Sequence, residues 1–444
     1  MLAILGFLTV IIMLTIVMTK KASPTVALIS VPIVTGAIAS FFSTGETAYN
    51  ILGVGSFISS GIATVAATGV MFIFSILFFG ILTDAGTFRP IIDKILGIIG
   101  TDPIKIAIGT AILAMFVHLD GSGAVTFLIC IPALLPVYDA VGMSRTTLAT
   151  IVALSAGTMN IVPWGGPTIR AATAMEMNVM DLFSPVIVPL IFGLLTVLLF
   201  AFILGRKEKK RLVEINASGV KLTEQEMTPE QKNLLRPNLF GINIGLIVLA
   251  VVGLILGGKY GVKPEVVFMI SFVLAIVINY PDVKVQKARV DAHAKSAILM
   301  ASVLFAAGAF TGIMKGSGMI TAMSESLVTI IPTTAAKYFA IITGVIAMPA
   351  SLLFDPDSFY FGVLPVLTST AQGFGVDGVS IARAAILGQM TTGFPVSPLT
   401  PATFLLIGLA GVDFGEHQRK TIPLAFMVTI VMLIVSVIVG AIII

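Results

Sequence analysis

Three carboxylates stand where carboxylates are rare. Asp120, Asp355 and Asp357 each interrupt a long apolar stretch. An ionised group at such a place is costly, so a function is the default reading. Acidic oxygens suit hard divalent cations, and a buried carboxylate can also carry a proton. Asp equally serves as an ordinary helix cap, which requires no function. His118 precedes Asp120 in His118-Leu119-Asp120-Gly121-Ser122-Gly123 and can pass protons near neutrality, although a lone histidine among apolar neighbours is often only a core residue. Arg170 could grip a substrate carboxylate with two bonds or pair with a protein carboxylate. Arg383, near one end of its apolar stretch, reads as a snorkelling side chain.

The elements that must hold these groups are interrupted helices. Ser155-Ala-Gly-Thr158-Met-Asn160 leads into Ile161-Val-Pro163-Trp164-Gly165-Gly166-Pro167-Thr168, and Thr391-Thr392-Gly393-Phe394-Pro395 leads into Val396-Ser397-Pro398-Leu399-Thr400-Pro401. Proline removes a helical hydrogen bond and glycine permits the turn. Each break begins a new helix within the apolar layer, and the tips at Asp120 and at Asp355-Pro356-Asp357-Ser358 begin two more. Four half-helix starts around one cavity would attract an anion with carboxylate-like oxygens. Asp120, Gly121, Ser122, Gly123, Asn160, Gly165, Gly166, Thr168, Arg170, Asp355, Asp357, Ser358, Ser397, Thr400 and Thr403 are the candidate binding residues. Asp120, His118 and Asp355 are the candidate proton carriers.

Composition places all of this in lipid. Of 444 residues, 57% are hydrophobic and 11% charged, and mean hydropathy is +1.08. Soluble domains carry roughly 25% charged residues. A soluble enzyme, a nucleic-acid binder and a disordered chain are excluded. No CxxC or HExxH pattern and no phosphate-binding Gly-Lys-Ser/Thr loop occurs, so no cofactor and no ATP drive are expected. The single Cys130 lies in an apolar run and makes no disulfide framework.

Ten stretches reach spanning length, some with their flanks: 2–18, 24–41, 56–82, 146–175, 184–205, 238–257, 264–280, 296–316, 379–410 and 421–444. The regions 104–139 and 335–373 are split by the polar tips, and their arms are short for a crossing. They read as re-entrant hairpins, and 146–175 and 379–410 as broken helices. Lys20 and Lys21 in the cytoplasm puts twenty basic residues inside, including Arg206 to Arg211, against Lys259, Lys263, Lys315 and Lys337 outside. Both termini then face outward. The segment Val283 to Lys295 reads as a basic loop or a helix lying along the inner surface, with His293 and His417 in cytoplasmic segments.

The chain also repeats itself at an offset near 232–235: Gly80, Gly86, Asp120, Pro163 and Thr168 match Gly312, Gly318, Asp355, Pro398 and Thr403. Five crossings per half require the second half to be inverted. The reading is an all-α polytopic membrane protein of two inverted repeats, 1–205 and 238–444, joined by a cytoplasmic linker at 206–237. Such repeats with hairpins and broken helices mark secondary transporters.

The pieces Leu119-Asp120-Gly121-Ser122-Gly123, Asn160-Ile-Val-Pro163-Trp164-Gly165-Gly166-Pro167-Thr168 with Arg170-Ala-Ala, Phe354-Asp355-Pro356-Asp357-Ser358-Phe359-Tyr360-Phe361-Gly362, Ser397-Pro398-Leu399-Thr400-Pro401 and Gly415-Glu416-His417-Gln418 carry a resemblance over essentially the whole chain. It resembles the citrate–metal:proton symporter family of the ion transporter superfamily. Members often carry an acidic residue where Ser122 stands and an Asp where Glu416 stands; the first departure bears on which metal is accepted. The resemblance implies citrate taken up as a metal complex with protons, and an elevator-type homodimer in the cell membrane. Asp120, Asp355 and Asp357 would touch the metal only as second contacts to a citrate-bound ion. A sodium-coupled di- or tricarboxylate carrier or a sodium/proton antiporter is the alternative within the superfamily. A channel and an intramembrane hydrolase are the alternatives outside it.

Overall fold

Long runs of Leu, Ile, Val and Ala can satisfy their backbones in lipid only within helices or closed barrels. The computed structural model is built of helices. It describes the chain apart from residues 20, 44–47, 91–93, 95, 96, 98, 99, 214–228, 258, 259, 331–335 and 444. The first half holds α1 (Leu2–Met18), α2 (Pro24–Ala39), α3 (Gly53–Asp84), α4 (Pro103–Val117), α5 (Gly123–Val141), α6 (Arg145–Met159), α7 (Gly166–Ala174), α8 (Val179–Phe183) and α9 (Ile187–Val213). After α10 (Pro229–Leu234) the second holds α11 (Phe240–Gly257), α12 (Pro264–Asn279), α13 (Val283–Gly316), α14 (Met319–Ile330), α15 (Phe339–Ala350), α16 (Leu364–Gly373), α17 (Gly378–Ile386), α18 (Pro401–Ala410) and α19 (Phe414–Ile438). Among the described residues, seven helices are long and apolar enough to cross a membrane.

Two helix groups share the work. In one, α13 packs along α3 and against α2, α12 packs on α3, and α11 on α12. At their crossing the backbones of α3 and α13 touch: a Cβ on Gly61 would stand 2.0 Å from the Gly308 carbonyl oxygen, and one on Gly312 2.2 Å from that of Phe57. Small residues permit such close packing where lipid supplies no hydrophobic drive. In the other group, α9 packs on α4 and α19, α6 lies among α4, α5 and α19, and α15 meets α17 and α19. Helix α14 joins α1 to α16.

The two arms of the first hairpin begin and end beside one helix. Asp102, which caps α4, accepts from Lys209 Nζ at 3.0 Å, and the Gly142 carbonyl after α5 accepts from Arg211. Both hairpin ends therefore sit at one end of α9. Its arms, Pro103–Asp120 and Gly123–Val141, reach spanning length nonetheless. The arms are longer than expected, and the returning chain, not their length, makes them a hairpin.

Ion pairs join segments that the sidedness argument puts on one face. Asp84 pairs with Arg289 and His293, and Glu176 with Lys315. Lys20 and Lys259 lie outside the described residues, as does the middle of the linker, 214–228.

Three expectations are corrected. Val283 to Lys295 is neither a loop nor an in-plane helix. Asp282 caps it through the Lys284 and Val285 N–H groups, and it runs on as the first turns of α13. The last span starts at Phe414 rather than 421 and ends at Ile438, because Asp413 accepts from Glu416 N–H and starts the helix within a charged segment. His417 consequently falls inside α19 and is fully buried. Arg383 donates to the Asp181 and Ala441 carbonyls at 2.9 and 3.1 Å, both in segments that the sidedness argument puts at the outer end. Helix α14, with polar and apolar residues on opposite faces, was not expected at all.

Candidate functional site

Helix α6 stops at Met159 because Pro163, Gly165 and Gly166 cannot continue it. The chain turns on itself so tightly that a Cβ on Gly165 would lie 2.0 Å from the Asn160 carbonyl oxygen. Helix α7 then starts without a side-chain cap. The second break runs from Leu387 to Thr400, and α18 also starts uncapped. The other two starts are different. Ser122 Oγ accepts from Val125 N–H, and Asp355 accepts from the N–H groups of Asp357 and Ser358 and from the Ser358 hydroxyl. Of the four helix starts, two carry a side-chain cap and two do not.

The four interruptions meet. Trp164 of the first break donates its indole N–H to the Leu119 carbonyl at 2.7 Å, and Gly121, in the left-handed region at φ +74°, packs against its ring. Gly123 faces the Phe394 ring of the second break, where a Cβ would come within 2.6 Å. Asn160 Nδ2 donates to Met390 O at 2.7 Å. Met390 N–H donates to Ser351 Oγ of the second hairpin at 2.8 Å, and Ser397 donates to Ser351 O at 2.6 Å. Arg170, on α7, donates from Nε to Asp357 Oδ1 at 2.6 Å and from Nη1 to Gly166 O at 3.2 Å. Each side chain of that pair is 10% exposed.

The predicted hydroxyls build the breaks instead of standing free. Thr168 donates to Ile161 O at 2.6 Å, and its repeat partner Thr403 donates to Phe394 O at 2.8 Å. Thr400 donates to Phe394 O at 2.7 Å. Both threonines thus bond back to a carbonyl of their own break. Asp120 Oδ1 accepts from Ser122 N–H at 2.8 Å as Asp355 accepts from Asp357, and Gly86 and Gly318 have similar backbones, at φ +74° and +76°. Asp120 Oδ2 makes no hydrogen bond among the described residues, whereas both oxygens of Asp355 are used.

His118 is fully buried. Its Nδ1 lies 2.8 Å from Thr126 Oγ1 and its Nε2 3.4 Å from Asn160 Oδ1. Thr126 also reaches Ser122 O at 2.9 Å and has one proton to give. When that proton goes to Ser122, Nδ1 must donate to Thr126. Nε2 then faces an amide oxygen and bonds it only by carrying a proton too. Both ring nitrogens thus face atoms able to accept a proton.

Sequence reasoning missed three groups. His417 contacts Pro395 O through Nε2 at 2.9 Å, and Gln418 donates to Val396 O at 2.8 Å, so the first turn of α19 holds the second break. The Gly-Glu-His-Gln run was the available signal. Gln389 accepts from Ser351 Oγ at 2.8 Å, and its carbonyl accepts from Tyr360 at 2.7 Å. Met390 takes φ +51°, which a side chain larger than Asn rarely adopts. A methionine in an apolar run gives no such signal. Among the described residues no three His, Cys, Asp or Glu side chains gather as a metal cage.

A family model described as citrate transporter (CitMHS) matches residues 2–388. Among curated proteins of Bacillus subtilis strain 168, a citrate transporter is 42% identical over 99% of this chain and 99% of its own. A Mg(2+)/citrate complex secondary transporter from the same organism is 39% identical, over 100% of this chain and 99% of its own. The crystal structure of the Alcanivorax borkumensis YdaH transporter, noted for an unusual topology, superposes with TM-score 0.63 at 14% identity. It covers 94% of this chain and 97% of that one, and speaks for the fold alone.

Proposed function

The chain belongs to the citrate transporter family, and from that premise we propose that it imports citrate complexed with a metal ion, coupled to protons. The observation that carries the reading is the meeting of both hairpin tips and both helix breaks through Trp164, Asn160, Met390 and the Arg170–Asp357 pair. The uncapped starts of α7 and α18 offer N–H groups to citrate oxygens, with Gly165, Gly166 and Thr400 beside them. The unpaired oxygen of Asp120 is the better placed of the acids to touch a citrate-bound ion. Asp355 serves as a cap and Asp357 as the partner of Arg170. The metal is cargo, and the chain needs no resident cofactor.

Charge arithmetic favours this cargo. A divalent ion leaves one negative charge on fully ionised citrate, so the complex asks less compensation of the site than free citrate. Two accompanying protons would make the net transfer positive and inward. Each charge moved is worth about 2.3 kcal/mol per 100 mV. His118, whose two ring nitrogens can both face acceptors, and Asp120 carry the proton in this scheme.

The group of α2, α3, α11, α12 and α13 is the static scaffold in this proposal, and the hairpins and broken helices are the moving part of an elevator. The inverted halves are 1–205 and 238–444, both termini lie outside the cell membrane, and two chains associate through the scaffold. The test is uptake of labelled citrate into proteoliposomes across a panel of divalent and trivalent ions. Metal-dependent uptake, abolished by a protonophore and indifferent to sodium, is expected. His118→Gln should retain metal–citrate binding yet lose proton-driven accumulation. Sodium-dependent uptake of free citrate would establish the alternative carrier instead.

A further inference from the structure

Outside the site, a cavity of about 240 Å³ opens between α6, α9 and α19, at the end of α9 where Lys207, Lys209, Lys210 and Arg211 gather. Phe200, Leu204, Pro423 and Leu424 form its walls. Two ammonium groups, of Lys207 and Lys420, line its mouth. Neither has a carboxylate within ion-pair distance among the described residues. Lys420 is partly buried, and its ammonium donates one bond, to Thr147 Oγ1 at 2.7 Å. An ammonium carries three donors, so two remain without a protein acceptor. The one acid in the cavity, Glu208, is already spent: it takes bonds from the Thr147 hydroxyl, Ser144 N–H and Arg211. Glu208 and Glu416 attract the Lys420 ammonium from a distance, but neither closes an ion pair with it among the described residues.

The apolar side of the cavity continues onto a surface that faces outward. Leu199, Phe202 and Ile203 are 55%, 40% and 38% exposed. We propose that this cavity is a binding site for an anionic phospholipid, its phosphate between Lys207 and Lys420 and its acyl chains along Phe202 and Ile203. A free anion would use the lysines and leave the apolar wall without purpose. A zwitterionic lipid would use the wall and leave the lysines unpaired. Basic pockets between helices at the cytoplasmic headgroup level suit this ligand class. The proposal stands apart from the cargo, because no cavity wall belongs to the breaks or tips.

The experiment compares the full-length protein in nanodiscs of phosphatidylcholine alone and in nanodiscs containing phosphatidylglycerol. Native mass spectrometry then counts the lipid retained. Wild type should keep phosphatidylglycerol selectively, and Lys207→Gln with Lys420→Gln should weaken that preference roughly tenfold or more. Lys207→Gln alone, an exposed change that breaks no side-chain bond among the described residues, should weaken it by a smaller factor and guards against misfolding of the double variant. Equal retention of both lipids by wild type, or unchanged selectivity in both variants, overturns the proposal. So does displacement of the bound lipid by glycerol phosphate in solution, which would make the site one for a free anion. Citrate uptake is measured separately, so a failed cargo assignment leaves this result standing.

Discussion

Replacing Asp357 strands a guanidinium. Arg170 Nε lies 2.6 Å from Asp357 Oδ1 with each side chain 10% exposed, and its remaining bond is to the Gly166 carbonyl. With the charge centres roughly 4 Å apart and an effective dielectric near 20, the attraction is about 4 kcal/mol. Removing one member of such a pair costs about 3–5 kcal/mol, since the other stays buried without compensation. Asp357→Ala should lose that amount. Asp357→Asn keeps an acceptor for Nε, and because charge-assisted bonds are roughly twice as strong as neutral ones, it should lose about half as much. Thermal unfolding in detergent can be followed through Trp164, the one tryptophan of the chain, which packs beside Phe79 at the first break. The expected order of melting temperature is wild type, then Asn, then Ala. Adding Arg170→Gln to Asp357→Asn should recover part of the loss. If Asp357→Ala melts with wild type, or the two changes combine additively within about 0.5 kcal/mol, the pair does not hold the second hairpin to α7 and the argument fails.

Three further outcomes are expected. Because Trp164 contacts Gly121 and donates to Leu119 O, magnesium–citrate should change its emission, whereas citrate with excess chelator should not; identical titrations would place cargo elsewhere. Gly61→Leu should abolish recovery of folded protein, since even a Cβ there lies 2.0 Å from a backbone oxygen, while Gly55→Ala, with nothing within 4 Å, should be recovered as wild type. The hydrogen bond from Lys209, and then that from Ile104 N–H, hold the Asp102 carboxyl below its ordinary value. A depressed carboxyl adds stability above its unfolded value that is lost as pH falls through the folded one. The contribution is about 1 kcal/mol or less at this exposed site, so Asp102→Asn should flatten the acid side of the melting curve slightly without altering the neutral plateau by more.

The interruptions were legible because their causes are local. Pro163, Gly165, Pro398 and the two Asp tips cannot sit inside an undisturbed apolar helix, and their spacing carried the repeat. The meeting of the four interruptions was also expected, from the symmetry of the halves. What the hydroxyls do was not legible. Thr168, Ser397, Thr400 and Thr403 looked like ligand contacts, yet each can give its proton to a backbone carbonyl of a break or of the second hairpin, a partner visible only once the backbone has turned. Helix boundaries failed where caps outranked hydropathy, at Asp282 and Asp413. The roles of His417 and Gln389 depend on partners 22 and 38 residues away, which no local pattern reports.

Met390 has a consequence of its own. An ordinary side chain held at φ +51° stores strain of order 1–3 kcal/mol, and here two tethers impose it, Asn160 from the first half and Ser351 from the second hairpin. The kink at the end of α17 is therefore not written into its own segment but enforced by neighbours, like a bent spring kept under two fingers. Lifting either finger would let the residue relax toward helical geometry and straighten the second break, so the shape of this break is held jointly by the two halves of the chain.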